Sequence, residues 1–283
     1  MKRIVTLVLI ASALLVSACG PVRKTLVILH SNDTHSQIEP VRVGRSRGLG
    51  GVDRRLQYIN SVREEYGNNN VLLLDAGDYN QGTPYFTVAN GDLEMELMNA
   101  LQYDVVTLGN HEFDNGQEEL ARRLKNATFP TLCCNYDFSQ TVLKDYIKDY
   151  VIVKRAGYKI GIIGATSHLE TVVMRTFLEG MTRLNTIERV NDLADMLKNH
   201  KKCDIVILLS HLGYDGGSIE YPSDLLMAKN SKNIDMIIGG HSHTFLSQAK
   251  EVDDLDGKRV IITQAGGQGV VMGTMIIPIQ PQF

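Results

Sequence analysis

The stretch Val105-Val106-Thr107-Leu108-Gly109-Asn110-His111-Glu112-Phe113-Asp114 decides how this 283-residue chain is read. It opens apolar and β-branched, as a buried strand does, and turns at Gly109 into side chains that carry chemistry. Asn110 offers a neutral amide oxygen to a cation, and His111 beside it points elsewhere. Asp114 lies three residues on, within one helical turn, so it can accept a hydrogen bond from the His111 ring. That contact would fix the imidazole tautomer and favour its protonated form. A positioned imidazolium beside a metal pair can stabilise a phosphoryl oxygen or protonate a leaving alkoxide.

The same sequence grammar recurs outward from this stretch. The apolar run Leu26–Leu29 leads to Asp33-Thr34-His35, and Val71–Leu74 leads to Gly77-Asp78. Asp204–Leu209 leads to Ser210-His211-Leu212, and Met236–Ile238 to Gly240-His241-Ser242-His243. In an extended strand end, residues i and i+2 point to one side, so Asp33 and His35 can grip one cation. Asp78 follows a flexible glycine, and its two oxygens suit it to bridge two ions. His241 and His243 can face one site and bind different ions. Taken alone these motifs are weak, since an Asp-x-His arises by chance and a lone Gly-Asp is usually a turn.

Five of the eight histidines lie in these motifs, which random scatter would not arrange. Of the rest, His30 is read as orienting a ligand from behind. His168 is placed near the site or merely buried, and His200 at a helix end capped by the last carbonyls. The donors are nitrogen and oxygen only, which admits Zn, Mn, Fe, Co or Ni and makes a thiolate site unfavourable. Two such ions about 3.5–4 Å apart can hold a hydroxide between them and neutralise phosphate charge during in-line attack.

Helical spacing over Val52–Tyr66, Leu93–Leu101, Gln117–Asn126, Val190–His200 and Leu225–Lys229 alternates with the apolar runs. Further strands are expected at Thr131–Asn135, Lys159–Thr166, Val260–Thr263 and Val270–Ile279. Such alternation predicts an α/β fold with largely parallel pairing. In these folds ligands gather at the carboxyl ends of strands, and every motif above sits at such an end.

Composition excludes some functions. The formal net charge of −3 gives no reason to expect a nucleic acid polymer as partner, and 43% hydrophobic content suffices for a globular core. With no Trp and 6% aromatics, no stacking platform is advertised. The arginines of Pro40–Gly51, a glycine-rich loop, are read as solvated. Cys133, Cys134 and Cys203 are odd in number and lack zinc-finger spacing, so they are read as core thiols. The N-terminus has Lys2 and Arg3, an apolar Ile4–Val16 too short to anchor in a bilayer, then Ser17-Ala18-Cys19-Gly20. That resembles a bacterial lipoprotein signal with acylation at Cys19. It predicts a lipid-anchored protein of the cell envelope, facing the periplasm rather than the cell surface.

The motif set closely resembles the calcineurin-like metallophosphoesterases. More narrowly, it is similar to the N-terminal catalytic domain of the bacterial 5'-nucleotidase family. The segments Ile28–His35, Leu74–Asp78, Thr107–Asp114 and Gly239–His243 carry the match, which spans essentially all of the chain after Cys19. The resemblance implies a four-layer α/β/β/α sandwich, with residues 1–18 as signal peptide and 19–283 as a single domain. It implies one metal on Asp33, His35, Asp78 and His243, and the other on Asp78, Asn110, His211 and His241. His111 and Asp114 take the places of the family's catalytic dyad.

The implied activity is hydrolysis of a phosphate ester, with nucleotides as the leading substrate. Alternatives on the same scaffold are phosphodiesters, nucleotide sugars and sulfur esters. The chain ends at Phe283, so the family's nucleoside-binding domain is expected to be absent, and a separate chain to supply it or the substrate to be something else. At His243 the nearest nucleotidases often have Gln.

Overall fold

Thr25–Ser31 forms strand β1, and all but its first residue are buried, as expected for a strand covered on both faces. The computed structural model describes residues 25–278; the segment read as a signal, Cys19 and Ile279 lie outside them. From β1 the chain continues through α1 (Val52–Tyr66), β2 (Val71–Asp75), α2 (Pro84–Ala89), α3 (Asp92–Leu101), β3 (Val105–Thr107) and α4 (Gly116–Leu124). Five strands follow: β4 (Thr131–Leu132), β5 (Tyr136–Asp137), β6 (Ile147–Lys148), β7 (Tyr150–Arg155) and β8 (Tyr158–Thr166). Next come β9 (Thr182–Arg183), α5 (Thr186–Asp195), β10 (Ile205–His211) and α6 (Asp224–Lys229). The last strands are β11 (Met236–Ile238), β12 (Lys250–Asp253), β13 (Arg259–Thr263) and β14 (Gly273–Pro278).

Two six-stranded sheets result, ordered β14-β1-β2-β3-β4-β6 and β12-β13-β11-β10-β8-β7. Their centres are parallel, while β14, β7 and β12 add antiparallel pairs toward the edges. Alternation along the strands builds the layers. Leu26, Ile28, Leu72 and Leu74 of one sheet meet Ile160, Ile162, Ile207 and Leu209 of the other. On the opposite face Val27, Leu29 and Leu73 pack with Ile59, Met95 and Leu120 from the helices. The second sheet turns Ile163, Val206 and Leu208 toward Val190, Leu193 and Met227. The order of layers is thus helix, sheet, sheet, helix, as the resemblance implied. Each buried Leu or Ile contributes about 1.5–3 kcal/mol.

Some sequence expectations shift. The strand expected over Thr131–Asn135 stops at Leu132, because the chain then crosses to the other sheet, where the Cys134 N–H donates to the Gly164 carbonyl of β8 at 2.8 Å. The helix expected to start at Val190 begins at Thr186, because the Asn185 side chain caps it by accepting the Glu188 N–H. Its end, Met196–His200, is a π-turn. There His200 is exposed and lies 3.9 Å from Asp195, with no carbonyl cap. Cys133, Cys134 and Cys203 are buried and unpaired, as read.

Candidate metal centre

The carboxyl ends of β1, β2, β3, β10 and β11 open on one edge of the sandwich, where a cleft of about 1040 Å³ lies. Asp33, two residues past β1, is fully buried. Its oxygens accept the His241 N–H at 3.0 and 3.1 Å and the Asn32 amide at 2.6 Å. His35 Nε2 and His243 Nε2 face each other at 2.8 Å and lie 3.9 and 3.4 Å from Asp33 Oδ1. Asp33 and His35 do converge, although not by strand alternation: their φ angles are 50° and 48°. Asp78, His241 and His243 are left-handed too. Five of the nine residues assigned from sequence therefore hold a backbone that costs about 1–3 kcal/mol each outside glycine. Such clustering marks a site whose geometry is imposed by its surroundings.

Asp78 stands between two clusters. Its Oδ1 accepts the His111 N–H at 2.9 Å, and His211 Nε2 lies 3.0 Å from Oδ2. Ligand atoms of Asp33, His35 and His243 lie within 4.8 Å of one another, as do those of Asp78, His211 and His241, and those of His35, Asp78 and His111. Two glycines of the motifs, Gly77 and Gly109, permit this. A Cβ on Gly109 would strike the Asp78 carboxylate, and one on Gly77, where φ is 89°, would strike Gly109.

The donor set suits cations. Asn110 Oδ1 and His211 Nε2 are buried without an aligned hydrogen-bond partner, a state buried polar atoms seldom keep. His211 Nδ1 is 2.6 Å from the Ala76 carbonyl, so that nitrogen carries the proton and Nε2 is left facing Asp78. Burial would depress the His211 pKa, yet the Asp78 and Asp33 carboxylates outweigh it and hold it at about 10. Those carboxylates demand a positive charge, which a divalent ion would supply in place of the proton. Burial lowers His35, and lowers His241 to about 4, leaving both neutral as ligation requires.

Beside the clusters, His111 Nδ1 and Asp114 Oδ2 are 2.8 Å apart across the turn His111–Phe113. That bond, against partial burial, raises His111 to about 8. All nine residues assigned from sequence thus meet at one place. The calcineurin-like phosphoesterase family profile matches residues 26–245. The chain belongs to that family. It is 35% identical to human 5'-nucleotidase, over 96% of this chain and 49% of that one. Among solved structures, the 5'-nucleotidase precursor of Thermus thermophilus superposes with TM-score 0.80 at 33% identity, covering 90% of this chain and 53% of its own. NAD nucleotidase of Haemophilus influenzae follows at 0.79 and 29%, covering 92% and 48%. The chain spans about half the length of the curated relatives it matches.

Sequence reasoning overlooked one carboxylate that lies behind this cleft. The fully buried Glu112 carboxylate accepts backbone N–H groups of Gly109 at 2.7 Å, Asp78 at 2.9 Å, Tyr79 at 3.1 Å and Asn80 at 3.2 Å. A charged residue between His111 and apolar Phe113 was the available signal. His30 also differs from expectation: its Nδ1 has no hydrogen-bond partner among the described residues, and its Nε2 lies 3.2 Å from the Thr263 hydroxyl. His168 lies beyond His241, stacked on Tyr221. Arg42, Arg45 and Arg47 are exposed, and Arg42 pairs with Glu39.

Proposed function

We propose that this chain hydrolyses phosphoric monoesters over two divalent cations, with 5'-nucleotides as its substrate class. One observation carries the reading: a hydrogen-bonded imidazole–carboxylate pair, His111–Asp114, faces two adjoining clusters of N and O donors. In this reading Asp33, His35, Asp78 and His243 hold one ion, and Asp78, Asn110, His211 and His241 the other. Bound there, the ions would offset phosphate charge and lower the pKa of water. Asp114 keeps a proton on His111 Nδ1, which leaves Nε2–H to donate to a phosphoryl oxygen or to the leaving alkoxide. The nucleotide class draws on the relatives and on an apolar wall of Phe245, Val172 and Val271 opposite the polar floor. The nature of the ions, and a separate chain supplying base recognition, belong to the proposal. So does the lipid anchor at Cys19, which rests on the sequence of residues 1–20 alone.

The test is phosphate release by the purified chain from 5'-AMP, ribose 5-phosphate and bis(p-nitrophenyl) phosphate, before and after chelation and metal return. Metal-dependent release favouring 5'-AMP supports the reading. Preference for the diester, or release indifferent to chelation, overturns it.

A further inference from the structure

Gln264, the residue after β13, is 1% exposed, and its amide is directed at one loop. Nε2 donates to the Gly240 carbonyl at 2.6 Å. Oε1 accepts the Ser242 hydroxyl at 3.0 Å and the Thr244 N–H. The bonded residues are thus 240, 242 and 244. The histidines between them, His241 and His243, belong to different ligand clusters. A donor facing a carbonyl and an acceptor facing an N–H fix which way the amide lies.

The loop needs such a clasp. φ is 72° at His241 and 51° at His243, a backbone that costs energy outside glycine and persists where its surroundings impose it. The Tyr214 N–H donates to Ser242 Oγ at 3.0 Å, which leaves that hydroxyl to donate to Gln264. Backbone bonds from Gly239 to Thr263, Leu246 to Gln264 and Gly266 to Thr244 run the two segments side by side. Their close approach needs Gly239, whose added Cβ would strike the Asp224 carboxylate and lie 3.1 Å from Gln264 Nε2. The residues after Gln264 reach the other ligand loop. The Ala265 N–H donates to Asn32 Oδ1 at 2.8 Å, and Asn32 Nδ2 donates to the Gly266 carbonyl and to Asp33, both at 2.6 Å. The Gln268 N–H donates to the Asp33 carbonyl at 2.7 Å. Segment 264–268 contains no Asp, Glu, His or Cys, yet it bonds to two loops that carry ligands.

We propose that Gln264 is a positioning residue for both cations: its three bonds hold His241 and His243 where their separate clusters need them. The inference rests on the metal-centre reading for its consequence, and on the hydrogen bonds for the clasp itself. Gln264→Met keeps the bulk of the side chain and removes all three bonds. Titration calorimetry with Mn²⁺ or Zn²⁺ should show both ions bound about ten- to a hundredfold more weakly. Asp104→Ala is the control for lost stability. At the amino end of β3, away from the cleft, it removes the acceptor of the Leu73 N–H, 2.9 Å away, and a partner of Arg155. Its melting temperature should fall while metal affinity stays within about twofold. Unchanged affinity in Gln264→Met, or an equal loss in Asp104→Ala, overturns the role. Should Gln264→Met not fold, Ser242→Ala, which removes one of the three bonds, decides instead. A loss of about two- to tenfold, the worth of one hydrogen bond, supports the clasp, and no loss overturns it. If the parent takes up no metal, the metal-centre reading fails, and amide exchange at Thr244 in the metal-free protein decides the clasp. Exchange about tenfold faster in Gln264→Met than in Asp104→Ala supports it, and equal rates overturn it.

Discussion

Glu112 accepts the backbone N–H of Asp78 at 2.9 Å and that of Gly109, which precedes Asn110, at 2.7 Å. One carboxylate thereby locks the end of β2 to the end of β3 and sets where Asp78 and Asn110 stand. Burial pushes its pKa up, while four N–H donors favour the charged form. Glu112→Gln would turn one acceptor into a donor facing those N–H groups. Metal affinity should fall about ten- to a hundredfold, as for other residues that orient ligands. Titration calorimetry with Mn²⁺ or Zn²⁺ measures this, and unchanged affinity would remove Glu112 from the positioning role.

His111 and Asp114 make a different claim. His111→Ala should cut kcat by about 10²–10⁴ while bound metal, counted by elemental analysis, stays near the parent level. Asp114→Asn should lower kcat less, since the imidazole remains and only its orientation and proton are disturbed. Full turnover in His111→Ala would mean the dyad is misassigned.

Asp78 lies in two of the three ligand groupings. Asp78→Asn should therefore deplete both ions together. Loss of a single ion would show that the carboxylate is not shared. In the parent, adding metal at a hundred times Kd should raise the unfolding free energy by about 2.7 kcal/mol per site, and chelation should reverse the gain in a melting experiment.

His30 gives a pH dependence separate from the cleft. It is fully buried, and burial lowers its pKa from 6.5 to about 4. The unfolded chain then binds the proton more tightly than the folded one. The stability gained by keeping His30 neutral is complete above pH 6.5, falls as pH drops toward 4, and levels off below. The full span is about 3 kcal/mol. Urea unfolding at intervals from pH 4 to 7 should show a shallower slope for His30→Gln than for the parent. Parallel slopes would disprove the assignment.

The sequence by itself determined the strands buried on both faces and the class of the fold, and it named nine side chains that the fold brings to one edge of the sandwich. Continuous apolar runs ending in polar motifs need no partner to be recognised. Elements whose burial is partial escaped: β7 is half-buried, β12 reads Lys250-Glu251-Val252-Asp253 and is largely exposed, and α2 has six residues. Only tertiary structure decided that Asp33 and His35 converge through left-handed backbone, and that His241 and His243 serve different clusters. The same holds for the Glu112 carboxylate and the Gln264 clasp. Each depends on contacts between residues tens to hundreds apart in the chain. Local periodicity reports which face of an element is apolar, and it is silent on what that face, or a loop beyond it, will meet.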